Sequence, residues 1–239
     1  MINDIRGTRL TLILPAFQKE RTIIQTIERI EEVFFERLDY EIIVVIDGNV
    51  DNTREVIESL NEPKIRIVQR PENGGKGIAL RDGVQAAGSS HWLGYLDADL
   101  DLHPDGIIYG ILKLIENPNL DLVIGSKFHS ESELIYPIPR IILSKLFIKL
   151  NKILFQIEVQ DTQTGLKVGK FESFKECMLE TSVDDFCVDL EFLILAQKKK
   201  LKVLEIPVQL NYSFNSTVNK GALLRMLMYI LSTFVKKLY

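Results

Sequence analysis

Four short apolar runs lie within the first hundred residues, with helical patterns between them, and no other feature restricts the fold as much. The runs are Leu10 to Leu14 (LTLIL), Glu41 to Ile46 (EIIVVI), Ile65 to Val68, and Trp92 to Leu96 (WLGYL). They show no clear polar–apolar alternation, as expected of strands buried on both faces. After the first run, Ile23, Ile27, Ile30 and Phe34 recur at helical spacing, with Thr22 in place to cap them. After the second, Val56, Ile57 and Leu60 mark a short helix over 51–60. After the third, Gly74, Gly75 and Gly77 open a helix that reaches about Ala87. A β-α-β-α-β-α-β order predicts an α/β fold, with a mostly parallel central sheet flanked by helices and right-handed crossovers. A helix over 104–116 and a strand over 120–124 extend the pattern. Helices over 140–156 and 185–199, a polar loop over 161–167 and a strand over 203–206 complete it.

A chain of 239 residues is long enough for one large α/β domain or two small ones. A net charge of −4 gives no sign of a nucleic-acid partner. Cys177 and Cys187 have no metal-ligand or CxxC spacing, so both are expected reduced, as in a cytoplasmic protein. No basic region leads into a long apolar segment at the start, and no apolar run reaches the roughly 18–20 residues of a spanning helix. The helix over 140–156 carries Lys145, Lys149 and Lys152 as one stripe. It is either a core helix with snorkelling lysines or a helix lying in a membrane interface. The last stretch, 222–239, is apolar with basic flanks and looks like an interfacial anchor.

The chemistry gathers where the strands end. In open α/β sheets, ligands bind outside the C-terminal ends of the strands. Four loops should open there: PAFQKE, DGNVDNT, ENGGKG and DADLD. Asp97, Asp99 and Asp101 alternate directly after the fourth strand, and an extended backbone would send them to one side. Three such carboxylates repel one another unless a cation joins them, and hard oxygen ligands suit Mg²⁺ or Mn²⁺. Asp47 is placed to accept hydrogen bonds from a base or ribose. The glycine loop brings backbone N–H groups toward a phosphate at a helix N-terminus, with Lys76 and Arg81 adding charge. Neither a Walker A loop nor G-x-G-x-x-G is present.

These segments, together with LTLILPAFQKE, ENGGKGIALRDGVQAA, DLVIGSK, DTQTGLK and FCVDLEFLILAQKKKLKVLEIPV, resemble the inverting glycosyltransferases of family 2, which have the GT-A fold. The resemblance spans residues 10–208 and narrows to enzymes that make polyprenyl-phosphate sugars, the dolichyl-phosphate glucosyl- and mannosyltransferases. It implies a GT-A domain over 8–211 and a membrane-associating segment over 212–239. Asp97 and Asp99, flanking Ala98, match the acids that hold a metal–diphosphate unit, and Asp101 stands where relatives add a metal contact. Pro15, Ala16 and Phe17 match the family's first loop and Asp47 the acid that reads the base, while Gly75, Lys76 and Arg81 remain the phosphate-side candidates of the glycine loop. Lys127 stands where relatives place a phosphate-contacting Arg, and Asp161 matches an acid near the acceptor. The departures are Gln18-Lys19 for the usual Asn-Glu, Ile46 for an acid and Asn49 for a Ser.

The implied reaction moves a sugar from a UDP-glucose or GDP-mannose type donor to a polyprenyl phosphate at the cytoplasmic membrane face. Relatives often carry spanning helices beyond the last stretch, and a partner membrane protein could supply them here. A phosphate acceptor needs cations, for which Lys127 and Arg140 are the candidates. A hydroxyl acceptor needs a base, for which Asp161, Asp189 and Glu191 are the candidates. The alternatives are a family 2 enzyme with a saccharide or protein acceptor, a non-catalytic nucleotide-sugar binder and, more remotely, a nucleotidyltransferase.

Overall fold

The computed structural model describes residues 5–134 and 138–210, apart from the side chains of 134–143. The first half follows the predicted alternation. It runs β1 (Arg9–Ala16), α1 (Ile23–Phe34), β2 (Asp39–Ile46), α2 (Thr53–Glu58), β3 (Ile65–Gln69), α3 (Lys76–Ala86) and β4 (Trp92–Leu96). Helix α4 (Asp105–Glu116) and strand β5 (Leu122–Ser126) come next. The first strand runs past Pro15 to Ala16. Its pairing with β4 stops at Ile13–Tyr95, before Pro15, while that with β2 continues to Ala16. Thr22 stands at the N-cap of α1 as expected, but its hydroxyl makes no capping hydrogen bond.

The second half departs further from expectation. Strand β6 (Glu133–Leu134) pairs with β9 (Gln209–Leu210) in a small second sheet. Helix α5 (Ile138–Phe155) is followed by β7 (Leu166–Lys170), α6 (Phe171–Leu179), α7 (Val188–Lys198) and β8 (Val203–Pro207). The polar loop expected over 161–167 therefore ends two residues early, because Leu166 and Lys167 begin β7. Helix α6 was not foreseen, and α7 starts at Val188 rather than 185.

The main sheet has the order β3-β2-β1-β4-β7-β5-β8. Its pairs are parallel except those of β7, which is antiparallel to both β4 and β5. Alternate residues of each strand serve opposite faces. Leu10, Leu12 and Leu14 of β1 join Ile42, Val44 and Ile46 of β2 under Ile23, Ile27 and Ile30 of α1 and Ile107 and Ile111 of α4. Ile13, Ile43 and Val45 face the other way, toward Leu80 and Val84 of α3, Phe174 of α6 and Phe192 of α7. The result is three layers with apolar packing on both faces of the sheet, as the unbroken apolar runs imply.

Two consequences position the site. The strand order reverses direction between β1 and β4, which opens a crevice at their C-terminal ends. Because β7 runs backwards beside β4, its first residue, Leu166, lies opposite Leu96. The loop 161–165 is thereby delivered to the same edge as Asp97.

Helix α5 exposes Lys145, Lys149 and Lys152. Leu146 and Ile153, 61% and 66% exposed, lie beside them. The opposite side is buried through Asn151 and Phe155. Residues 212–239, including the expected anchor, lie outside the described residues. No described helix is long and apolar enough to cross a membrane.

Ile27 is fully buried at the centre of the α1 face. Ile27→Ala should cost about 2–5 kcal/mol, read as a lower denaturant midpoint at unchanged m-value.

Candidate active site

The loops after β1, β2, β3 and β4 meet around one cavity of about 890 Å³. Its wall contains Pro15 and Ala16 from the end of β1 and Phe17 from the loop after it, Asp47 and Asp51 from the second loop, Asn73 and Gly75 from the third with Lys76 at the start of α3, and Asp97, Ala98 and Asp99 from the fourth. Asp185 and Phe186, just before α7, close one side. Nine of the sequence-derived candidates are thus brought together. Asp101, Arg81, Lys127 and Asp161 do not line the cavity.

The first two loops are stitched to each other. The Lys19 N–H donates to the Thr53 hydroxyl at 3.0 Å, and the Glu20 N–H donates to Asp51 at 3.2 Å. In return the Asn52 N–H donates to Glu20 at 3.1 Å. Gln18 carries a φ of +54°, a left-handed conformation uncommon outside glycine, held by these flanking bonds.

Asp47 has a different task from the one its position implied. Its two oxygens accept the N–H groups of Gly74 and Gly75 at 2.8 and 2.7 Å, and Arg70 lies 3.4 Å away. The carboxylate therefore shapes the glycine loop from within. The Gly77 N–H donates to the Asp184 carbonyl at 2.7 Å. These amides are engaged inside the protein and not aimed at a ligand. The glycines are needed for close packing instead. A Cβ on Gly75, whose φ is +97°, would fall 2.3 Å from the Asp184 carbonyl oxygen, and one on Gly77 2.0 Å from that of Val183. Arg81 also turns to this segment, donating to the Val183 carbonyl at 2.8 Å and pairing with Asp184.

Lys76 enters the cavity from the first turn of α3. Its ammonium lies 2.8 Å from Asp97 and 2.9 Å from Asp189. Asp189 is buried and also accepts from Lys167 at 2.6 Å and from the Tyr95 hydroxyl. Lys167 completes its three donors with Tyr95 at 2.8 Å and the Thr164 carbonyl at 2.7 Å. Burial by itself would raise the Asp189 carboxyl, but Lys167 and Lys76 hold it well below the usual carboxylate range. Burial likewise works against the Lys76 ammonium, yet Asp189 and Asp97 keep it charged well above the usual lysine range. Sequence reasoning missed Lys167 and Tyr95. The signal was a lysine inside LKVGK, a strand-like run, opposite Tyr95 in register.

The other two candidate bases are engaged as well. Asp161 is buried and pairs with Lys127 at 2.8 Å, while accepting the N–H groups of Lys127 and Gln163 at 2.9 and 3.0 Å. Burial would raise its carboxyl, but Lys127 lowers it below the usual value. Lys127 also donates to the Thr164 hydroxyl at 3.0 Å. Glu191 accepts from the N–H groups of Ser182 and Val183, both at 2.8 Å.

The acidic stretch does not run straight as expected. The Asp101 N–H donates back to Asp99 at 3.2 Å and Leu100 takes a φ of +66°, so the chain turns and Asp101 leaves the cavity wall. Among the described residues, no group of three or more His, Cys, Asp or Glu side chains is placed to hold a metal. The pair Asp97 and Asp99 remains. Burial, then Asp97, then Asp101 push the Asp99 carboxyl up to about 6. Two crowded carboxylates at a cavity fit Mg²⁺ or Mn²⁺, which commonly takes one or two carboxylates and completes its shell with phosphates and water.

A carboxyl raised on folding favours the folded state below its ordinary value of 3.8, and that contribution is lost as pH rises through about 6. Asp99→Asn removes the ionised group. The metal-free variant should melt higher than the parent at pH 8, and the gain should fade as pH drops toward 4. Equal melting temperatures at both pH values would contradict the crowding.

Comparison with known proteins agrees with this architecture. The model of glycosyl transferase family 2 matches residues 11–178. Two dolichyl-phosphate beta-glucosyltransferases of Trichomonas vaginalis are 27% and 30% identical, over 91% and 90% of this chain and 70% and 68% of theirs. Among solved structures, glucosyl-3-phosphoglycerate synthase from Mycobacterium tuberculosis, in complex with Mn²⁺, UDP and glucosyl-3-phosphoglycerate, superposes with a TM-score of 0.71. That match has 20% identity and covers 95% of this chain and 80% of the other. The chain belongs to glycosyl transferase family 2 and is a glycosyltransferase of GT-A fold.

Proposed function

We propose that the chain transfers a hexose, with inversion, from a nucleoside diphosphate sugar to a polyprenyl phosphate. The observation that carries this reading is the state of the carboxylates. Asp161, Asp189 and Glu191, the three candidate bases, are all tied into ion pairs or backbone hydrogen bonds. A hydroxyl acceptor must lose a proton to such a base, whereas a phosphate monoester arrives already ionised near pH 7. The similarity to dolichyl-phosphate beta-glucosyltransferases supports a lipid phosphate acceptor and a glucosyl donor.

In this reading the nucleoside lies against Pro15, Ala16, Phe17 and Asp51, and the diphosphate lies toward Lys76, Asp97 and Asp99. When bound by Asp97 and Asp99, Mg²⁺ or Mn²⁺ would supply positive charge to the leaving diphosphate. Lys76 adds a fixed positive charge on the same side. An oxygen of the acceptor phosphate attacks the anomeric carbon from the opposite face. The bond between that carbon and the diphosphate oxygen breaks, and its electron pair leaves with the nucleoside diphosphate. No proton has to move. Lys127, which stands on the loop after β5, serves the incoming phosphate; the side chain of Arg140, the other candidate, lies outside the described residues. The half-apolar, half-basic exposed face of α5 suits a membrane surface, with the segment 212–239 as a further membrane-associating element. Residues 8–211 form the transferase domain.

A screen tests the reading. Purified protein is incubated with Mn²⁺ or Mg²⁺, a short polyprenyl phosphate, and UDP-, GDP- or dTDP-sugars. We expect sugar on the lipid with one donor, UDP-glucose before GDP-mannose. Nucleotide release without lipid product would move the acceptor to a saccharide or protein, and donor binding without turnover would point to a binding protein. Asp99→Ala should lower transfer at least about a hundredfold while the fold survives.

A further inference from the structure

Asp97 is gripped from two sides. Its Oδ2 packs against the backbone of Gly165, where a Cβ would lie only 1.8 Å away. Its own N–H donates to the Gly165 carbonyl at 2.8 Å, which fixes the approach. The same Cβ would lie 2.7 Å from Oδ1, so the whole carboxylate is held against Gly165, and Oδ1 is the atom that Lys76 holds at 2.8 Å. Lys76 is not free to swing away at no cost. Its second partner, Asp189, is 2% exposed, and the ammonium stands 5.1 Å over the Tyr95 ring. The four charges of Asp97, Asp189, Lys76 and Lys167 balance, two against two.

A divalent cation arriving alone would meet an ammonium already on the Asp97 carboxylate, inside a partly buried site where like charges are poorly screened. A nucleoside diphosphate arriving with the cation changes the balance. Its phosphates offer Lys76 an anionic partner in exchange for Asp97, and they supply ligands to the metal. We propose that Lys76 is an internal competitor for the metal at Asp97, so that metal and nucleoside diphosphate bind together and the metal binds poorly without the nucleotide. The inference rests on the reading of Asp97 and Asp99 as the acids of the metal–diphosphate site, and adds to it an order of binding set by one side chain.

Lys76→Met tests the inference with an unusual sign, because losing this residue should improve one affinity and weaken another. Asp189 keeps Lys167 and Tyr95 in the variant, so its buried charge stays paired. Titration calorimetry with Mn²⁺ alone, and with Mn²⁺ in the presence of UDP, gives the readout without turnover. We expect Mn²⁺ alone to bind the variant on the order of tenfold more tightly than the parent. UDP should then strengthen Mn²⁺ binding less in the variant than in the parent. Lys76→Arg, which keeps the charge, should behave as the parent. Melting temperatures check the fold, and Lys76→Gln replaces Lys76→Met if the latter unfolds.

If the parent binds Mn²⁺ with UDP but the neutral variant gains nothing toward Mn²⁺ alone, the competition is overturned and the metal–nucleotide reading stands. If the parent binds no Mn²⁺ even with UDP, the metal–diphosphate reading fails and takes the inference with it.

Discussion

The buried contact between Asp189 and two lysines is the constraint on which the site depends. Asp189 lies in the first turn of α7, Lys167 belongs to β7 and Lys76 opens α3, so one carboxylate ties three elements distant in sequence. A buried ion pair is seldom a large net gain in stability, since both charges must leave water. Its value here is geometric. It fixes the height of Lys76 above Asp97, and through Tyr95 it keys the antiparallel strand to β4. Losing Asp189 would leave the buried Lys167 ammonium without its carboxylate, which is far more costly than losing a surface pair.

Around this centre the loops position one another. Asp47 holds the amides of Gly74 and Gly75, which sets the start of α3 and hence Lys76. Gly75 and Gly77 let that start press against the carbonyls of Val183 and Asp184, which leads directly into α7 and Asp189. Gly165 lets the loop before β7 press against Asp97. This side of the cavity is thus assembled from contacts that would not tolerate a single added methyl group, while the first two loops are joined by hydrogen bonds.

Much of this was legible in the sequence where the physics is local. Unbroken apolar runs such as EIIVVI reported strands buried on both faces, and their order reported a parallel sheet with a crevice at the strand ends. Alternating acids after WLGYL marked the edge that carries the site. What the sequence concealed depends on contacts between distant segments. Nothing near Lys167 announces that an antiparallel strand will bury its ammonium beside Tyr95. Nothing near Asp47 shows that its oxygens will be taken by the glycine loop, and the glycines themselves were expected to make room for phosphate when they make room for backbone. The turn at Leu100 likewise follows from a side-chain-to-backbone bond within DADLD that a simple alternation rule does not contain.

The engaged state of the carboxylates also bears on the acceptor. An enzyme that deprotonates a hydroxyl needs a carboxylate with an open lone pair and a pKa near neutrality. Asp161 and Asp189 are held in the opposite condition, low and paired, and Asp99, the cavity carboxyl raised to about 6, is the one assigned to the metal. An acceptor that brings its own negative charge resolves the difficulty. The measurement that tests this most directly is transfer to a matched pair of acceptors, a polyprenyl phosphate and the corresponding polyprenol, with the same donor and metal. The account predicts glycosylated product with the phosphate and none with the alcohol. Comparable product with the alcohol would require a general base and would contradict it.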